Sequence, residues 1–131
     1  MLSQAQTCHP EPVEGSLHLG RDDRSVAIVE SERSAVILSE LYPQNLWLAT
    51  VHPANLNEHV LKPLQGHPVI MFPPTDDTKS TFLFWYEVAN RARKKYHLDI
   101  TVSSLLEDHA TPAQKEQNID LLDYYLYTYV P

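Results

Sequence analysis

The run Val26-Ala27-Ile28-Val29-Glu30-Ser31-Glu32-Arg33-Ser34-Ala35 changes character at a single point. Its first four residues are apolar without a break, as a strand must be when both of its faces are covered in a parallel sheet. Ser31 then supplies the short side-chain oxygen of a helix N-cap. The pattern from Ser34 to Leu41 is helical and must end before Pro43, because proline cannot continue a helix. A buried strand passing directly into a capped helix is the first half of a β-α-β unit.

The rest of the chain repeats that alternation. Leu46 to Val51 reads as a second strand. Asn55 is placed to cap a helix from Leu56 to about Leu64, with Gly66 at the stop position. Val69-Ile70-Met71-Phe72 is a third strand, halted by Pro73-Pro74. The longest helix is expected from about Lys79 to His97, where Phe82, Trp85, Ala89, Ala92 and Tyr96 step by 3, 4, 3 and 4. Ile100 to Val102 is a short fourth strand, and Thr111-Pro112-Ala113-Gln114 opens a final helix running to about Tyr127. The order β-α-β-α-β-α-β-α predicts an α/β fold: a single Rossmann-like domain of about four mostly parallel strands with helices on both faces. Ligands of such sheets sit beyond the carboxyl ends of the strands, where the strand order changes direction. That rule selects Glu30, Val51-His52 and Pro74-Thr75-Asp76-Asp77.

The chain has 131 residues, enough for one domain, and ten Lys+Arg against seventeen Asp+Glu leave a net charge of -7. Such a balance argues against coating nucleic acid or an anionic membrane by bulk charge. The single cysteine, Cys8, excludes an internal disulfide framework and an all-cysteine zinc site. No apolar run approaches the roughly 20 residues needed to span a bilayer, and no basic-then-apolar leader opens the chain. A cytoplasmic protein with no membrane association is the expectation. Residues 1–25 have neither a 2.0 nor a 3.6 period and read as an unstructured tail ahead of a domain at 26–131. Within it, Cys8 to Ser16 looks like a translated intergenic repeat, with an ordinary polar leader as the alternative.

Two readings stand for each candidate site. Glu30, at the sheet rim beside a helix start, is placed as a proton carrier or metal ligand, although acidic residues also serve helix starts through the dipole. Asp76 and Asp77 are oxygen ligands suited to Mg²⁺, yet Pro-Pro-Thr-Asp-Asp-Thr is also turn chemistry. Arg91, Arg93, Lys94 and Lys95 suit phosphate contacts or simply a helix C-terminus. Trp47 and Trp85 lie in apolar patterns and read as core, while His67, His97 and His109 read as surface residues. The aromatic C-terminus, Leu121 to Val130, offers either a protein partner or self-association face or a fraying end.

Ile28-Val29-Glu30-Ser31-Glu32-Arg33-Ser34-Ala35 resembles the first motif of Toprim domains, the catalytic fold of primases and topoisomerases, and Val69 to Asp76 resembles their second, a strand ending in Asp-x-Asp. With Trp47-Leu48-Ala49-Thr50 and Leu61-Lys62-Pro63-Leu64-Gln65-Gly66 in matching order, the chain is similar to uncharacterised Toprim-like proteins of bacterial plasmids and mobile elements. The similarity covers about three-quarters of the chain, as in a truncated copy. It implies Glu30 as general acid or base in nucleotidyl transfer, Asp76 with Asp77 as Mg²⁺ ligands, and DNA or a nucleotide as partner. Pro74 stands where the first aspartate of Asp-x-Asp would, so the implied metal site is a half-motif and the implied activity is degraded. The other expectation is a non-catalytic remnant or interaction module that keeps the scaffold without metal.

Overall fold

The computed structural model describes Ser3–Gln4 and residues 24–129. The elements run β1 (Ser3–Gln4), β2 (Val26–Val29), α1 (Glu32–Leu41), β3 (Leu46–Ala49), α2 (Glu58–Leu61), β4 (Val69–Met71), α3 (Ser80–Tyr96), β5 (Ile100–Val102), α4 (Leu105–His109), α5 (Pro112–Glu116) and α6 (Leu121–Tyr129). Two 3-10 turns, Pro53–Asn55 and Lys62–Leu64, flank α2.

The sheet has the order β1-β3-β2-β4-β5, with β3, β2, β4 and β5 all parallel and β1 antiparallel on the edge. This is the α/β architecture expected from the alternating pattern. β2 lies in the middle, with Val26 opposite both Leu46 and Val69. The chain moves to one side of β2 to make β3 and to the other to make β4, so the strand order changes direction between β2 and β4.

Side-chain alternation along the strands builds two cores, one on each face. Val26, Ile28, Leu46, Leu48, Val69, Met71 and Ile100 pack under α2 and α3, whose Leu61, Trp85, Val88, Ala89 and Ala92 are buried. Ala27, Val29, Trp47 and Ala49 pack under α1 and α6 through Ala35, Leu38 and Leu122. Helices therefore cover both faces. Trp47 and Trp85 are core residues, each 2% exposed.

Several boundaries differ from the sequence reading. Ser31 does cap α1, accepting from Ser34 N–H at 3.2 Å, but the helix opens at Glu32. β3 stops at Ala49 rather than Val51, because Val51 turns into the left-handed region at φ 68°. Asn57, not Asn55, caps the next helix, accepting from His59 and Val60 N–H; the Asn55 amide donates to Thr50 O at 2.8 Å. Gly66 takes the positive φ, 89°, that its stop position requires. His67, expected at the surface, is buried. Ser3–Gln4 lies in the segment read as an unstructured tail yet pairs with Leu48 and Ala49. Two residues on an edge need only backbone groups, so no side-chain period announces them; the repeat-like segment falls outside the described residues.

The C-terminal third departs most. The single helix expected from Thr111 to Tyr127 is two, α5 and α6, broken where Asn118 adopts φ 54°. The capping box of Thr111 and Gln114 starts α5 as read, and the short α4 was not expected. Leu122 is fully buried and holds α6 on the sheet, whereas Tyr129 is 67% exposed at its end. Leu122→Ala should cost about 2–5 kcal/mol in denaturant unfolding, and Tyr129→Ala should stay within about 0.5 kcal/mol of the parent.

Candidate functional site

All four parallel strands point their carboxyl ends the same way, and β2 and β4 flank the change in strand order. Glu30 leaves β2 at that point, half-buried. The β2–β3 ladder continues past its last paired residues: Thr50 N–H donates to Val29 O at 2.9 Å and Val51 N–H to Glu30 O at 2.7 Å. The ladder brings Thr50 beside Glu30. Its hydroxyl is fully buried and has no hydrogen-bond partner among the described residues.

The break between α5 and α6 delivers a second carboxylate. Thr75, buried in the loop after β4, donates both its N–H (2.9 Å) and its hydroxyl (3.1 Å) to Ile119 O. This pins the break to the sheet. Asp120, the next residue, accepts from Ser34 Oγ on the first turn of α1. Its other oxygen accepts from Asp123 N–H at 3.0 Å, while Asp123 accepts from Asp120 N–H at 3.2 Å. That reciprocal pair starts α6 as a capping box does.

Ser31, directly after Glu30, caps α1, and Asp120 is bound to Ser34 in its first turn, so both carboxylates lie at the N-terminus of α1. Burial pushes the Glu30 carboxyl above the ordinary carboxylate range; the charge of Asp120 pushes it further, and His52 opposes both. Asp123 is also raised, first by burial, with the Asp120 charge adding and Asp120 N–H and Arg33 opposing. A carboxyl group of raised proton affinity at a sheet rim is equipped to take or return a proton.

Asp76 has other work. Lys79 opens α3 in the left-handed region with no side-chain cap, and Asp76 reaches past it. Asp76 Oδ2 accepts from Thr81 N–H (2.9 Å), Thr81 Oγ1 (2.8 Å) and Ser80 Oγ (2.8 Å), and Oδ1 from Thr78 Oγ1 (3.4 Å). Burial alone would raise this carboxyl, but the hydrogen bonds from Thr81, Ser80 and the Lys79 backbone bring it down to about 2. Asp77 is exposed in the adjoining turn. The carboxylate whose charge raises Glu30 is Asp120, while Asp76 is held at the start of α3. Pro74 offers no side-chain ligand, Asp76 is committed to the helix start, and among the described residues no group of three His, Cys, Asp or Glu is placed to hold a metal.

Arg91, Arg93, Lys94 and Lys95 do gather on the last turns of α3. Because α3 returns from the carboxyl end of β4 to the amino end of β5, this cluster lies at the opposite end of the sheet from Glu30. Arg91 pairs with Glu58 (3.3 Å) and Glu87 (2.9 Å), and Arg93 donates to Ile100 O (2.6 Å) and Asn90. A single helix read from Thr111 to Tyr127 hides the place of Asp120 at a helix start. Its sequence signal is Asp120-Leu-Leu-Asp123, a helix start immediately before an apolar run.

A family model described as a domain of unknown function (DUF6371) matches residues 14–75, and the chain is similar to that family there. The matched span contains β2 through β4 with Glu30, Thr50 and His52, and stops before Asp76 and Asp120. It begins inside the segment read as a tail. Neither curated proteins nor solved structures give a match, and no helix among the described residues is long and apolar enough to cross a membrane.

The two carboxylates predict opposite pH behaviour. A raised acid contributes stability that is complete below its unfolded value and is lost as pH rises through the folded value. Glu30→Gln should therefore raise the unfolding temperature at pH 7, by the equivalent of about 1 kcal/mol or less, with the gain vanishing below about pH 4. Asp76, depressed to about 2, contributes above the ordinary aspartate range and loses that contribution as pH falls towards 2. Asp76→Ala should cost about 1 kcal/mol at pH 7, as loss of a helix cap does, and the deficit should shrink in acid. Thermal melts across pH 2–8 check both.

Proposed function

We propose that the protein is a Toprim-like α/β domain, of the kind carried by replication proteins of mobile elements, in which Glu30 is the proton-carrying group for a phosphate-bearing nucleotide or DNA ligand. One observation carries the reading. Glu30 leaves the first parallel strand at the change in strand order, next to the strand that bears the second motif, in surroundings that raise its proton affinity. In this reading Glu30 gives up or takes a proton at the ligand oxygen, and Asp120, held by Ser34 and Asp123, keeps Glu30 protonated at higher pH than a free carboxyl. Asp76 starts α3 and takes no part in the chemistry. Its commitment there favours a second reading, in which the scaffold persists as a non-catalytic interaction module.

With carboxylates at this rim and a net charge of -7, a phosphate approaches only together with its counter-cation, so the test is run with and without Mg²⁺. Isotope-labelled protein is titrated with a nucleoside triphosphate and with a short single-stranded oligonucleotide. Saturable shifts at Glu30, Val51 and Asp120, abolished in Glu30→Ala and retained in Asp77→Asn, are the expected outcome. Shifts confined to other faces, or none, would remove the catalytic reading and leave the scaffold reading.

A further inference from the structure

The helices cover the two faces of the sheet unequally. On the face under α1 and α6, Ala35, Leu38 and Leu122 seal β2 and β3, but Ile70 of β4 and Phe72 just beyond it are only half-buried, and Thr101 of β5 is exposed. An opening of about 360 Å³ remains there, between α6, the end of α1 and α4. Six aromatic side chains line it: Tyr42, Trp47, Phe72, Tyr124, Tyr125 and Tyr129. Protein interiors close-pack and leave few voids larger than a water molecule, whereas this volume falls in the range of about 300–1,000 Å³ usual for small-molecule sites. Glu30, Asp76 and Asp120 do not line it, so the opening is independent of the reading of the rim.

The rings are held at different angles around this space. At its base Trp47 and Phe72 stack with centroids 6.0 Å apart and planes at 25°, and Trp47 Nε1–H donates to Tyr42 O at 2.9 Å. Tyr42 meets Tyr125 edge-on, at 5.9 Å and 87°, and Tyr125 meets Tyr129 at 5.1 Å and 43°. The walls therefore form a box rather than a flat slot. Among the described residues that line it there is no Lys, Arg, Asp or Glu. The lysines that do lie over rings are elsewhere, on Tyr96 and Phe82. Burial pushes the Tyr42 phenol above its ordinary range, and the Tyr125 and Tyr129 phenols push the same way, so this hydroxyl is uncharged at neutral pH. What the box presents is the negative π faces of its rings. An adjoining depression, which shares Asn45 and Phe72 with it, adds the Asp99 carboxylate.

We infer that this opening is a binding site for a small organic cation, a quaternary or multiply alkylated ammonium compound, whose charged head sits among the rings of Tyr42, Tyr125 and Tyr129 above the Trp47–Phe72 base. Charge complementarity selects this class. In a chain of net charge -7, a box of π faces free of any protein cation attracts positive charge and repels an anion. A metal ion such as Mg²⁺ holds its water too tightly to exchange it for rings. An alkylated ammonium group is apolar at its surface and loses little water, so it gains both contact and charge attraction. A second copy of the chain is the rival occupant, because Tyr127 and Tyr129 of α6 are 61% and 67% exposed. Such a copy would bring a further charge of -7 to the same face, which favours the cation.

The test titrates ¹⁵N-labelled full chain at pH 7 with choline and, separately, with 3,3-dimethyl-1-butanol, which has the same shape with carbon in place of the charged nitrogen. Choline chloride replaces sodium chloride at constant ionic strength, so attraction to the net charge alone does not register. Saturable shifts at Asn45, His109 and Tyr125 are expected, with choline binding about fivefold or more tighter than the butanol. Tyr129→Leu lies at an exposed helix end, where the fold does not depend on it, and keeps apolar bulk while removing a ring. It should weaken choline about threefold and leave the butanol unchanged, and Tyr129→Phe should keep both affinities. Equal affinities for the two ligands would overturn the inference in favour of a plain apolar pocket. Shifts confined to other residues, or no binding of choline, would overturn it outright. Sedimentation showing a dimer that Tyr129→Leu dissociates would assign the opening to self-association and overturn it as well.

Discussion

β2 is paired along both edges and covered on both faces, and the remaining structure is arranged around that confinement. Val26, Ala27, Ile28 and Val29 are each at most 1% exposed. A four-residue strand with no solvent face can end only by leaving the sheet, so the first residue beyond it, Glu30, is placed at the rim by the burial of its predecessors. The parallel partners β3 and β4 then fix what lies on either side. From β3 comes the Thr50–His52 turn, and from β4 the loop that carries Thr75. Burial of apolar surface supplies the driving force for this arrangement, and the ladder supplies its register.

Connections made far along the chain complete the rim. Thr75 binds the Ile119 carbonyl, Asp120 binds Ser34, and Asp120 and Asp123 bind each other's backbone. These contacts satisfy polar groups at two helix starts, as any folded protein must. They also leave two carboxylates close enough for Asp120 to raise the proton affinity of Glu30. An arrangement chosen for stability alone would separate like charges. The strained φ of Val51 and the Thr50 hydroxyl, unpartnered among the described residues, lie at the same rim. Asp76 is the reverse case, a carboxylate wholly used in starting a helix.

The strands and the main helix were legible because their signals are local. Val26–Val29 and Ile100–Val102 coincide with the apolar runs, and the 3-4-3-4 stripe of α3 places Trp85, Ala89 and Ala92 in the core. Glu30 was legible too, because the sequence puts it directly after a buried strand. Asp120 was not. Its role depends on a break in a helical pattern, made by Asn118 in a left-handed turn and held by Thr75, which lies 44 residues away from Ile119 in sequence. Asp76 misled for a related reason: next to a proline-rich turn, a carboxylate for metal and a carboxylate for a helix start look alike, and only the donors around it, Ser80 and Thr81, separate them. The strain at Val51 had no sequence signal, since valine after a strand ordinarily extends it.

The account depends most on Glu30 and Asp120 sharing one rim, and a double-mutant cycle tests that directly. Unfolding free energies are measured at pH 7 for the parent, Glu30→Gln, Asp120→Asn and the double variant; asparagine keeps the helix-capping ability of Asp120. If the two carboxylates repel across the rim, neutralising the first relieves the second, and the effects fall short of additivity by about 0.5–1 kcal/mol, a gap that closes when the cycle is repeated in acid. Additivity within about 0.3 kcal/mol at both pH values would mean that the two groups do not meet, and the site described here would not exist.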